Sequence, residues 1–534
     1  MKTSEQSLPS SAACCGGPAP NAIDACCVKD ADAKAAGEAG CGCGATAPTL
    51  PVAIIGAGPV GMAAAARLIE RGIEPLLLEA AATVGANLLD YGHVRLFSPW
   101  RYNLDAVMAA QLEATGWRAP PPDKVPLARE VVEQVLQPYA ALPVVHAALR
   151  LGTRVLAISR EGFDKVKTSG REAAPFVIRA EQDGRPVEFR ASAVIDASGT
   201  WSTPNPLGAN GLPAIGEKEN RDAIYYGIPD VLGRDRARYA GRRTLVVGAG
   251  HSAANALLAL AELASSAKDT RFVWAVRSPV LTRVFGGGDA DALPARGALG
   301  SSLKTLRDSG RMQFVSGLRI GAVRREGARM TVEGHGPDGK PLVLEGIDQI
   351  VCATGQRPDL AMVGELRLKF DPWLESTEAL GPLIDPNEHS CGTVRPHGHR
   401  ELAHPENGFY TLGVKSYGRA PTFLMATGFE QARSVVAAIA GDFEAADRVE
   451  LDLPETGVCG TDSADDARAD GACCAAAPES VPTLGAKTSP SSGCGTASCG
   501  TPAAMEPVAP TVPGPHAGGV RPPLLDGAQD APQG

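Results

Sequence analysis

The sequence predicts an α/β protein made of two doubly wound parallel units, the second inserted into the first, with a cysteine-rich tail at either end. Three observations predict it. A strand–glycine turn–helix–strand segment begins at Val52 and its pattern recurs at Arg243. Two later apolar strands each run into an Ala-Ser-Gly or Ala-Thr-Gly turn and a proline loop, at 193–206 and 349–358. Outside about 50–450, Ala, Gly, Ser, Pro and Asp dominate and large apolar residues are scarce, so no core can offset chain entropy there.

The first segment, "VAIIGAGPVGMAAAARLIERGIEPLLLEA", opens on a buried-strand run, turns through Gly56-Ala-Gly58-Pro59-Val-Gly61, enters an alanine-rich helix and closes a second strand on Glu79. Gly56 makes the tight turn, Gly58 lets a pyrophosphate approach the backbone, and Gly61 allows close helix–strand packing. The helix N-terminus offers free N–H groups and partial positive charge to phosphate. Glu79, about 20 residues on, is placed for ribose hydroxyls. The expected ligand is FAD.

In the second segment, "RTLVVGAGHSAANALLALAEL", Gly248 and Gly250 repeat the pattern, His251 and Ser252 open the helix, and Ala253 takes the third glycine's place. Its second strand, "RFVWAVRS", leads to Arg277 where an acid would favour NAD. A cation suits the 2′-phosphate of NADPH, and Arg283 is placed to join it. Two solvated loop arginines are the alternative.

Two nucleotide folds joined by "AVIDASGTWSTPNP" and "QIVCATGQRP" resemble the two-dinucleotide-binding flavoproteins, the broad family of flavin monooxygenases and pyridine nucleotide–disulfide reductases. The resemblance covers about residues 50–445 and implies two Rossmann-like dinucleotide-binding domains, a FAD domain carrying an inserted NAD(P) domain. It implies cofactor contacts from Asp196–Gly199, including Ala197 and Gly199, and from Ala353–Gly355. The expected layout begins with a cysteine-rich disordered tail (1–49) and the leading stretch of the FAD-binding domain (50–205). The NAD(P)H-binding domain and linkers (206–345) follow, then the returning stretch of the FAD-binding domain (346–450) and a second cysteine-rich disordered tail (451–534).

Disulfide reductases of that family need two redox cysteines beside the flavin. The body holds Cys352 and Cys391 in neither the CxxxxC nor the CxxC arrangement. Cys352, at the end of an apolar strand, reads as a small core residue. Monooxygenase or oxidase chemistry remains, although the FxGxxxHxxx[YF] motif of flavin-containing monooxygenases is missing. The family's late Gly-Asp is replaced by Gly413-Val-Lys415, followed by a helix expected to start near Thr427-Gly428. Lys415 or Arg419 is a candidate electrostatic substitute. In "YGHVRLFSPWRYN", His93, Arg95 and Ser98 read as one face of a strand, with Arg95 placed to polarise the flavin or hold phosphate. An ordinary edge strand is the alternative. "EHSCGTVRPHGHRELAHPENG" gathers His389, Cys391, His397, His399 and His404. A soft-metal site, a solvated loop and a substrate-side loop all stay open there.

The chain carries 51 Lys and Arg against 60 Asp and Glu, a net charge of −9, with no basic stripe for nucleic acid and nothing for an anionic membrane. No apolar run spans a bilayer and no secretory signal opens the chain, so a cytoplasmic setting with reduced thiols is expected. There, Cys14, Cys15, Cys26, Cys27, Cys41 and Cys43, with Cys473 and Cys474 in the second tail, read as thiolate ligands for a soft ion. The first tail resembles the thiol-rich tails appended to proteins of bacterial arsenic-resistance operons. That resemblance implies an NADPH-dependent FAD monooxygenase that uses O2 to oxidise trivalent (organo)arsenicals. The rivals are a flavin-dependent reductase acting through tail cysteines and a non-enzymatic metalloid-binding protein. The oligomeric state is not encoded in any of these patterns.

Overall fold

Val52–Ile55 (β1) is a run of four apolar residues, all buried, because a strand at the centre of a parallel sheet is covered on both faces. The computed structural model in which it sits describes residue 36 and residues 50–279, 285, 293–388, 394–421 and 423–451. All of these fall in the unit Met1–Arg468. The tail cysteines, Arg283, His389 and Cys391 lie outside the described residues.

Helix α1 (Pro59–Glu70) follows β1 and carries Pro59 in its first turn, where the missing N–H costs nothing. Its alanines Ala63–Ala66 are fully buried, since small side chains let the helix lie close to the sheet. Then come β2 (Pro75–Leu78), β3 (Leu149–Arg150), an antiparallel meander β4 (Thr153–Arg160), β5 (Phe176–Gln182) and β6 (Arg185–Ala191), and β7 (Ala193–Asp196). The chain crosses into β8 (Ile224–Tyr226), β9 (Arg243–Val247), helix α2 (His251–Ser266), β10 (Arg271–Ala275), helix α3 (Pro294–Asp308) and β11 (Gln313–Val315). A second meander, β12 (Arg319–Glu326), β13 (Arg329–His335) and β14 (Pro341–Ile347), leads to β15 (Gln349–Cys352). The chain returns for β16 (Phe409–Thr411) and helix α4 (Met425–Ile439).

The strands order as β16-β7-β1-β2-β3 and β11-β10-β9-β15-β8, parallel throughout, and each meander forms its own three-stranded sheet. The two units therefore repeat one plan: strand, glycine turn, helix, strand, edge strand, meander, and a final strand inserted beside the first. The glycine turns show why the sequence pattern repeats. A Cβ on Gly56 would stand 2.8 Å from the Ala197 carbonyl oxygen, and one on Gly248 would stand 2.1 Å from that of Ala353. Both have positive φ, +96° and +135°. Each fingerprint glycine thus packs on the small-residue turn that ends its own unit.

The core of the first unit joins α1 to α4 through Leu68, Ala432, Val435 and Val436, all fully buried. Each large apolar side chain there stabilises the fold by about 1.5–3 kcal/mol. Glu406, just before β16, is buried between Arg160 of β4 (2.8 Å) and Arg171 (2.7 Å), tying the first meander to the returning chain. Among the described residues, no helix is long and apolar enough to cross a membrane.

Candidate functional site

The C-terminal ends of parallel strands leave their carbonyls and following loops facing one edge, the usual ligand crevice of such sheets. A cavity of about 820 Å³ opens there, reached by Ile55, Leu78, Ala197 and Gly413, which end or follow β1, β2, β7 and β16. It continues past Tyr91–Ser98 to one face of α2 (His251, Ser252, Asn255, Leu258) and one face of α3 (Ala295, Ala298, Leu299, Ser302). One cavity therefore touches the first glycine turn and the start of the helix that follows the second.

The residues fit a dinucleotide at the first turn. Gly58 lines the cavity, and nothing lies within 4 Å of where its Cβ would be. A phosphate can therefore come against the backbone, as the N-terminus of α1 requires. Glu79 lines the same wall. Its Oε2 accepts from the Ala57 amide at 2.8 Å and its Oε1 from the Ala81 amide at 2.9 Å. Those two bonds fix the carboxylate's direction and leave acceptor sites for ribose hydroxyls. Gly61 serves packing: its Cβ would fall 2.0 Å from the Gly56 carbonyl oxygen. Pro59, Ala197 and Gly199 line the cavity as well.

At the second turn, His251 and Ser252 line the cavity, and the space at Gly250 is as open as that at Gly58. The Phe97 ring lies 5.1 Å from His251, so the first unit's 90–98 segment meets the second unit's helix start. Arg277 follows β10 on the surface, one guanidinium N–H given to the Ala209 carbonyl at 2.9 Å. Gly355 belongs to the crossing ribbon, where Asn205 N–H donates to its carbonyl and Arg357 N–H donates to that of Thr203.

Two expectations are corrected. The 91–98 segment is no strand; it is a set of turns with a single bridge, Arg95 to Leu127. Gly92 and Pro99 bracket it, and the Asn103 side-chain amide takes the Ser98 and Pro99 carbonyls. His93, Arg95 and Ser98 consequently do not share a face. Arg95 is exposed and donates to Val125 O at 2.8 Å, and Ser98 is buried and donates to Asn103 Oδ1 at 2.9 Å. Both still line the cavity.

Lys415 lines the cavity as half of a buried ion pair. Its Nζ lies 2.7 Å from Asp196 Oδ2 and donates to Ser198 Oγ at 2.9 Å, with both charged side chains 1% exposed. Ser198 in turn donates to Asp196 Oδ1 at 2.7 Å, closing the trio at the cavity wall. Arg419 is exposed.

Helix α4 starts at Met425, placing Thr427 and Gly428 in its first turn and away from the cavity lining. A Cβ on Gly428 would press on Val60 at 2.4 Å and Phe423 at 2.8 Å, so that glycine serves helix packing.

The described histidines of the 388–408 stretch scatter. His399 pairs with Asp447 at 2.8 Å. His404 accepts from the Lys369 amide and faces Thr411, and burial pushes its pKa down to about 4. His397 is buried against Gln431. No cluster of three metal-ligating side chains occurs among the described residues. Cys352 is buried beside Thr354, and burial pushes its thiol up to about 12. It does not line the cavity.

A crevice at parallel strand ends, joined to a second glycine turn in an inserted unit of the same plan, defines a two-nucleotide flavoprotein oxidoreductase working with FAD and NAD(P)H. The chain belongs to the pyridine nucleotide-disulphide oxidoreductase family, whose profile matches residues 53–390. No curated protein matches the sequence.

Solved structures share the fold. The chain is similar to a cadaverine monooxygenase of desferrioxamine biosynthesis from Erwinia amylovora, solved with FAD, at 14% identity and TM-score 0.53 over 78% of this chain and 99% of that one. It is likewise similar to a bacillithiol disulfide reductase from Bacillus cereus, at 18% identity and TM-score 0.52 over 74% of this chain and 99% of that one.

Proposed function

We propose that the protein is an NADPH-dependent FAD monooxygenase that oxidises trivalent arsenicals, with methylarsenite as the representative substrate. The observation that carries the monooxygenase half is Cys352. It is the one free cysteine among the described residues, and it is buried off the cavity with its thiol held protonated. Electrons reaching the flavin therefore have no thiolate beside them in the described body. The arsenical half rests on the paired cysteines at 14–15 and 26–27 and the Cys41-Gly-Cys43 step, thiolates suited to trivalent arsenic.

The chain's own residues divide the work. Gly56, Gly58 and the start of α1 hold the pyrophosphate of FAD, and Glu79 holds its ribose. His251, Ser252 and Gly250 receive the NADPH pyrophosphate, with Arg277 facing the 2′-phosphate. Phe97, Leu258 and Leu299 give the cavity an apolar wall that excludes water and accepts an uncharged substrate; trivalent arsenic acids are weak and stay neutral near pH 7. Bound FAD supplies hydride acceptance and O2 activation. The arsenic lone pair takes one oxygen atom and the other leaves as water, while NADPH becomes NADP+. No protein base has to remove a proton from substrate. The tails raise the local arsenical concentration.

Incubation with isotopically labelled O2 tests this: one labelled oxygen should appear in methylarsenate, and unlabelled product would reject oxygen transfer. The family and the bacillithiol disulfide reductase likeness favour one rival, thiol-linked reduction through the tail cysteines. Turnover without oxygen that is lost on Cys→Ser replacement in the tails would establish it.

A further inference from the structure

The histidine-rich stretch 388–408 has no part in the reading above, yet one of its histidines reaches the cavity wall through a buried chain of hydrogen bonds. His397 is 4% exposed, and Gln431 of α4 and Ser416 are both fully buried. Gln431 Oε1 accepts from the Gly413 amide at 2.7 Å, and its Nε2 lies 2.9 Å from His397 Nε2 and donates to Ser416 Oγ at 2.9 Å. Ser416 Oγ donates to the Gly413 carbonyl at 2.8 Å. Gly413, with φ of +70°, lines the cavity together with Val414 and Lys415.

These contacts allow one assignment of protons. The Gly413 amide can only donate, so the Gln431 atom facing it is the carbonyl oxygen. The Gln431 amino group therefore faces His397, whose Nε2 must accept. The imidazole proton is then on Nδ1, which stands 3.0 Å from the Arg395 carbonyl, a group that can only accept. Both ends of the chain agree, and every member is satisfied. A second proton on Nε2 would set N–H against N–H and turn Gln431 off the Gly413 amide.

We infer that His397, acting through Gln431, is a positioning residue for the FAD site: in its neutral form it locks the Gly413–Lys415 turn in the shape that receives the flavin. The charged and titratable groups facing His397 are Arg395 on its own segment, Glu401 on the short helix His399–Leu402, and Glu430 on α4. The Tyr417 ring lies 5.5 Å away on the turn after β16. Burial, the largest influence, favours the neutral ring that the hydrogen bonds require. The inference rests on the FAD site alone and is independent of the arsenical reading, so no substrate enters its test.

The test is FAD affinity of the full-length apoprotein, read by quenching of flavin fluorescence from about pH 7.5 to about pH 4.5, wherever far-UV circular dichroism stays native. Wild type should bind FAD more weakly toward the acid end, since a proton on His397 opposes the bound shape. His397→Ala should bind about tenfold more weakly at every pH. In His397→Gln the side-chain oxygen takes over the acceptor role of Nε2, so affinity should stay near wild type and the acid step should vanish. His404→Gln, at a buried histidine outside this chain of bonds, should keep both the wild-type affinity and the acid step.

The inference is overturned if His397→Ala binds within about twofold of wild type, or if His397→Gln retains the acid step. It is equally overturned if His404→Gln weakens FAD as much as His397→Ala does, since loss of affinity would then follow from loss of packing. Should His397→Ala fail to fold, the pH profiles of wild type and His397→Gln decide.

Discussion

Replacing Lys415 by methionine keeps the side chain's length and removes its charge. The Asp196 carboxylate, 1% exposed, is then left with the Ser198 amide at 3.1 Å and hydroxyl at 2.7 Å as its nearby partners. Breaking a buried ion pair from one side costs about 3–5 kcal/mol, because the surviving charge stays desolvated. The two Ser198 hydrogen bonds remain, which places the expected loss near the lower end, about 3 kcal/mol. Removing both charges, as Asp196→Asn with Lys415→Met, eliminates the stranded carboxylate and should recover about 2 kcal/mol of that. Urea titration of wild type, both single variants and the double, followed by far-UV circular dichroism, measures the cycle. A loss below about 1 kcal/mol in Lys415→Met, or a double variant no more stable than either single, would refute the reasoning.

Gly58→Val should leave stability nearly unchanged, because φ at Gly58 is −81° and nothing lies within 4 Å of the added Cβ. The same variant should weaken FAD binding by about a hundredfold or more, since the side chain fills the phosphate's approach; fluorescence titration checks it. Arg277→Glu should shift preference from NADPH toward NADH by about tenfold or more in kcat/KM, read from initial rates with each nucleotide. His404 favours its neutral ring in the folded state, so the unfolded chain takes up a proton below about pH 6.5 that the folded protein refuses until about pH 4. Stability is therefore intact above pH 6.5 and falls by about 3 kcal/mol on acidification to pH 4. His404→Gln should flatten that limb of the urea-midpoint profile.

What the sequence revealed was local, and what it hid was long-range. The path from β1 through Gly56–Gly61 to Glu79 is one contiguous pattern, with turn, helix and acid fixed by backbone geometry within about 30 residues. The turns at Ala197 and Ala353 were legible for the same reason, although their contact with Gly56 and Gly248 required the fold. Lys415 stood out as a departure from the family's pattern. Its partners Asp196 and Ser198 sit in a turn that the sequence marks, but nothing local pairs that turn with a lysine 217 residues further on. Gln431 went unnoticed because in sequence it looks like any polar helix position, whereas the helix is buried on every side from Ala426 to Ala438. The 93–98 pattern misled because only its middle pairs with a neighbour, through Val94 and Leu96 to Ala128 and Pro126, while Asn103 takes the Ser98 and Pro99 carbonyls and turns the chain. The histidine stretch left three readings open because closeness in the chain does not fix direction: His397, His399 and His404 turn to Gln431, Asp447 and Thr411.

The central claim, that electrons pass from NADPH through FAD to oxygen in the service of a trivalent arsenical, is tested most directly by one paired measurement. FAD-loaded full-length protein is given NADPH and methylarsenite in air and under argon, with NADPH, O2 and methylarsenate quantified together. The account predicts equal consumption of NADPH and O2 matched by methylarsenate in air, and no sustained turnover under argon. Equal turnover in both atmospheres, or NADPH oxidation in air that is indifferent to methylarsenite, would contradict it.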